Sequence, residues 1–122
     1  MLIRKNTCPV DYRMCRQTVT VYHKDGSEIT RKVHNRAFLD FKKTQSVDKT
    51  GSMEANAFLL VIPCDAQAVF VGDKVLLGEG PKISTREEWE NFIPTKVPGL
   101  CVVKYADPKY WGIQLVHVEA GG

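Results

Sequence analysis

Apolar and polar side chains first alternate strictly at residues 17–23, QTVTVYH. Val19 and Val21 share one face, and Thr18, Thr20 and Tyr22 the other, which is the period-two signature of a half-buried strand. Asp25-Gly26 follows as a hairpin signal, because glycine accepts a positive φ. EITRKV (28–33) returns as the partner strand, with Ile29 and Val33 inward, and NRAFLDF (35–41) continues as strand anchored by Phe38 and Phe41. ANAFLLVI (55–62) is the most apolar run; its length and the bounding Pro63 favour a strand buried on both faces over a helix. AVFV (68–71) and KVLL (74–77) read as short strands either side of Gly72-Asp73. LCVVKY (100–105) and WGIQLVHV (111–118) are two more, joined across the turn signal Asp107-Pro108.

A different period appears at STREEWENFI (84–93). Trp89, Phe92 and Ile93 make one apolar face at helical spacing. Thr85 is the predicted N-cap and Glu88, three residues on, completes a capping box. Glu87 and Glu88 oppose the helix dipole, and Pro94 ends the element. Many short strands with close turns and one helix predict a mainly β chain, a small partly closed antiparallel β-barrel with one short α-helix and a long exposed loop. That loop is KKTQSVDKTGSME (42–54), thirteen residues with only Val47 and Met53 to bury. Loops of such length are usually functional or disordered. Residues 1–16 lack periodicity and read as an N-terminal arm, leaving 17–122 as a single barrel domain, the size expected of one domain at 122 residues.

Net charge is +3, too weak by itself to argue nucleic-acid binding. No apolar run approaches the ~18 residues of a membrane span, and the first residues lack an apolar core of signal-peptide length. The expectation is synthesis and folding in a cytoplasm, with no membrane partner. Of the four cysteines, Cys64 and Cys101 sit in apolar surroundings and read as free buried thiols. Cys8 and Cys15 stay open between free and paired, and none of the four has the close spacing of a zinc site.

The glycines of VFVGDKVLLGEGPKIS (69–84) raise the question of a phosphate-binding loop. Their spacing fits neither G-x-G-x-x-G nor a G-K-[ST] ending, and the helix that follows opens with acidic residues, so they read as turns. His23, His34 and His117 each lack a second ligand at metal-binding spacing. Catalytic residues, metal ligands and cofactors are therefore all expected to be none. Arg31, Lys32, Arg36, Lys42 and Lys43 fall within thirteen residues, with Tyr22, Phe38 and Tyr105 as aromatics on or near strands. They support an alternative reading as a small-barrel module for single-stranded nucleic acid.

The TVTVYHKDGSEITRKV hairpin, the long polar loop, ANAFLLVIP, VFVGDKVLLGEG and the terminal YWGIQLVHVEAGG follow one another in an order with a known counterpart. It resembles the small minor capsid or head–tail connector proteins of tailed bacteriophages and prophages, of the head-closure (stopper) type. Tyr110-Trp111 stands where the resemblance leads one to expect a histidine-tryptophan pair. The resemblance implies a structural virion protein and no enzyme. It would form a homo-oligomeric ring between portal or adaptor and tail-completion proteins, retaining packaged DNA and docking the tail. Lys42, Lys43 and Lys49 would then lie in a channel loop that approaches DNA phosphates without reading bases.

Overall fold

β1 (Gln17–Asp25) and β2 (Glu28–Phe41) pair as an antiparallel hairpin around a two-residue loop. Gly26 takes φ 61° at the first loop position and Ser27 has no positive φ, the pattern of a type II′ turn that matches strand twist. The computed structural model describes residues 12–41 and 57–122. The 42–54 loop, with Lys42, Lys43 and Lys49, lies outside the described residues, as do Cys8 and most of the 1–16 arm.

β1 is not half-buried. Val19 and Val21 face one apolar cluster, while Thr20 and Tyr22, on the opposite face, are each 0% exposed. The expected polar face is covered by a second layer. β2 departs from expectation for a related reason. Between Gln17↔Ala37 and Val19↔His34, β1 advances two residues and β2 three. The extra residue is a bulge, and it switches which parity of β2 faces inward. Before the bulge, Ile29, Arg31 and Val33 share the face of Tyr22, so Ile29 packs in the outer cluster. Beyond it, Ala37 and Leu39 are buried, whereas Phe38 is half-buried and Phe41 exposed. The expected phenylalanine anchors are thus replaced by their neighbours.

Five more strands complete the sheet: β3 (Phe58–Pro63), β4 (Lys74–Leu77), β5 (Cys101–Val102), β6 (Tyr105–Trp111) and β7 (Gln114–Gly121). All pairings are antiparallel, in the order β5-β4-β1-β2-β3-β7-β6. Its two outer strands, β5 and β6, are consecutive in the chain, separated only by Val103 and Lys104. Val103 N donates to Asp73 O at 2.9 Å, and Lys104 N to Gly121 O at 2.8 Å. The sheet therefore curls until its ends meet in one segment, a partly closed barrel. Every strand contributes to the interior, with Val19, Leu39, Leu60, Val75, Cys101 and Val118 buried and Ala106 of β6 packed beside them.

Further strand expectations change, and the single strand expected at 100–105 is interrupted at Val103 and Lys104. Residues 68–71 form no strand. Phe70 and Asp73 close a tight turn instead, with Asp73 N donating to Phe70 O and Phe70 N to Asp73 Oδ2. β3 is buried on one face, through Phe58, Leu60 and Ile62, and only half-covered on the other, and Pro63 is its last residue. Asp107-Pro108 is no turn. Both residues lie within β6, where Pro108 sits opposite Val118. β6 ends the sheet order, so the missing proline N–H costs no ladder bond.

α1 (Arg86–Asn91) lies outside β1 and β4, starting directly after the predicted cap Thr85 and ending before Phe92 and Ile93 of its apolar face. Thr85 caps it with the full capping box to Glu88. Phe92 is the C-cap, and its ring meets Tyr22 edge-on at 4.7 Å. Trp89 packs beside this cluster and Ile93 is half-buried. The last turn of α1 holds no basic residue, and β4 supplies one. Lys74 Nζ donates to Trp89 O at 2.6 Å and stands 4.3 Å from the Trp89 ring centre. A cation at a helix C-terminus and over an indole face is doubly favourable.

The segment between β4 and α1 is pinned to β1. Thr20 Oγ1 donates to Gly78 O and accepts from Gly80 N, and the Tyr22 hydroxyl donates to Pro81 O at 2.6 Å. A Cβ on Gly80 would overlap the Tyr22 hydroxyl and stand 3.0 Å from Leu76 Cδ2. Gly80→Ala is accordingly expected to destabilise the fold by about 1–3 kcal/mol, the usual cost of overpacking, read as a lower urea midpoint at unchanged slope. An unchanged midpoint would show that this segment yields freely.

Candidate interaction surface

The glycines that posed the phosphate question have structural duties. Gly72 (φ 91°) and Gly78 (φ 85°) are turn residues, and Gly80 is the close-approach position just described. The carbonyl of Gly80 also takes both Arg31 Nε at 2.9 Å and Arg31 Nη2 at 2.5 Å. Arg31 is therefore committed to holding this segment, and Tyr22 is buried beneath it. Of the basic and aromatic residues considered for nucleic acid, Lys32 and Arg36 are exposed. Tyr105 is exposed too, with its ring laid over Gly121, where a Cβ would meet the Tyr105 hydroxyl at 2.5 Å.

The histidines are placed separately. His23 Nδ1 lies 2.5 Å from Asp73 Oδ1. Burial raises the Asp73 carboxyl above its ordinary range, against the opposing effects of His23 and the Phe70 N–H. His117 is 6% exposed and bridges Tyr12, whose hydroxyl lies 2.5 Å from Nδ1, and Glu119, 3.0 Å from Nε2. This contact ties the residues preceding β1 to β7. His34 Nε2 is buried without a hydrogen-bond partner among the described residues, and burial, then Lys32, lowers its pKa. Among the described residues no group of three or more His, Cys, Asp or Glu side chains is arranged to hold a metal ion.

The feature that stands apart is the β6–β7 hairpin. Trp111 pairs with Gln114 around Gly112 (φ 65°) and Ile113, a second glycine-first two-residue loop. Six consecutive residues, Lys109 to Gln114, are exposed, so neither face of this ribbon is covered. Its side chains are nevertheless apolar at the tip: Tyr110 is 59%, Trp111 42% and Ile113 101% exposed. An isolated two-stranded ribbon is marginal in water, and contiguous exposed apolar groups mark contact sites. Sequence reasoning missed this tip because Asp107-Pro108 took the role of the turn. The signal was present as a glycine between Trp111 and Ile113.

The chain matches no protein-family model, no curated protein and no solved structure.

The described cysteines carry a simpler message. Cys15, Cys64 and Cys101 are free, and burial raises the pKa of each, that of Cys101 to about 11. At pH 8 only about one Cys101 in a thousand is then a thiolate. Dithionitrobenzoate at pH 8 is expected to modify Cys101 only as fast as the chain unfolds, with prompt reaction in denaturant. Rapid labelling of Cys101 in the native chain would contradict its place in the core.

Proposed function

We propose that this protein is a structural component of a tailed-phage or prophage particle, a head-closure subunit that forms a ring at the head–tail junction and docks the tail. The observation that carries the reading is the apolar hairpin tip held out from a small partly closed barrel. Such a tip supplies contact area for assembly and needs no bound substrate to explain it. The order of sequence features shared in pattern with connector proteins points the same way. A ring contact is heterologous, so it requires two different faces on one subunit; the hairpin is one and the helix-covered side of the barrel is another. The portal or adaptor and the tail-completion protein would occupy the two rims, with packaged DNA in the channel. Among the described residues, the single-stranded nucleic-acid alternative rests on Lys32, Arg36 and Tyr105, since Arg31 and Tyr22 are occupied within the fold.

Deleting the gene from the phage or prophage is expected to leave DNA-leaking heads and unattached tails, restored by the full chain in trans. An antibody to the chain should label the head–tail junction of intact particles. Infectious particles of normal morphology from the deletion strain would overturn the proposal.

A further inference from the structure

The hairpin tip has a complement on the same molecule. Between the β4–α1 segment and α1 runs an open groove of about 360 Å³. Pro81, Ile83 and Phe92 supply its apolar lining, with Lys82, Glu87 and Glu88 among its polar residues. The volume lies at the lower end of ordinary ligand sites, roughly 300–1,000 Å³, which suits one large side chain better than a cofactor. The acidic residues are unequal. Glu88 is engaged with Ser84 and Thr85 in the capping box, while Glu87 makes no ion pair among the described residues. On the hairpin, Lys109 is likewise exposed and without an ion pair among the described residues.

We propose that the β6–β7 hairpin of one copy inserts into the α1 groove of a second copy, Trp111 covering Ile83 and Phe92 while Lys109 meets Glu87. The occupant is a second copy of this chain because tip and groove complement each other in both apolar character and charge. They belong to different parts of the fold: the groove lies on the layer over β1 and β4, and the hairpin is formed by β6 and β7. Made in one direction only, the contact is head-to-tail, and repeating it generates a ring or an open filament. This deepens the head-closure reading, on which it rests for its biological setting, by naming the two faces of the subunit contact.

The test uses the full chain with Trp111→p-benzoylphenylalanine, irradiated both as purified protein and in assembled particles. Cross-linked dimers are expected whose adducts map to residues 81–92 of the other copy. Ile113→p-benzoylphenylalanine is a second placement at a fully exposed position of the same tip. Lys109→Glu and Glu87→Lys should each lower the dimer yield by about 2–5-fold, as for an exposed ion pair, and the two changes together should restore it. Circular dichroism should be unchanged in every variant, since all four positions are exposed. Adducts elsewhere, the absence of any dimer in both preparations, or failure of the charge-reversed pair to recover would overturn the inference. If the protein still localises to the head–tail junction while adducts map elsewhere, the contact fails and the proposed function stands. Groove adducts from a protein absent from particles would give the reverse.

Discussion

The structure depends on β1 being buried on both sides. A strand in a small barrel usually shows one face to solvent, and the alternation of residues 17–23 reads that way. Here Val19 and Val21 point into the barrel while Thr20 and Tyr22 support a second layer made of the β4–α1 segment and the helix. Burying a hydroxyl is unfavourable unless it is hydrogen-bonded, and both hydroxyls are satisfied by backbone groups of residues 78–81. Those bonds fix the path of the chain after β4. With the path fixed, Gly80 has no room for a side chain, Arg31 has a carbonyl to hold, and α1 is delivered with Phe92 facing Tyr22.

The same layer explains how the helix ends. Its N-terminus is closed locally by Thr85 and Glu88, but its C-terminus relies on Lys74 from another element. Lys74 is 7% exposed, and burial, then Lys24, lowers its pKa. Donation to Trp89 O and the indole face compensates for the water it has given up. One residue thereby couples the barrel wall to the helix that lines the groove.

Local features were legible in the sequence because their causes are local. The capping box needs only Thr85 and Glu88 at the right spacing, and the first hairpin only a glycine between alternating segments. What the sequence concealed depends on partners far along the chain. The covering of Thr20 and Tyr22 comes from residues about sixty positions away. The bulge in β2 follows from pairing with β1 on one side and β3 on the other, so no pattern within residues 35–41 reveals that Leu39, and not Phe38, turns inward. Pro108 is tolerated in a strand only because that strand is at the sheet's edge, which topology decides. Misreading that proline hid the hairpin tip and, with it, the strongest feature of the candidate surface.

The strand order also has a consequence for synthesis. β7 lies between β3 and β6, so the outer edge of β3, an apolar strand, has no native partner until residues 114–121 are available. A nascent chain emerging from the ribosome can zip β1 onto β2 and add β3, but it must then carry an unpaired apolar edge until residues 64–113 and β7 itself have been made. Unpaired edges of this kind invite pairing with other chains. Neighbouring ribosomes on one message would hold many such edges close together, so yield of the native protein should depend on how quickly the last strand follows the third.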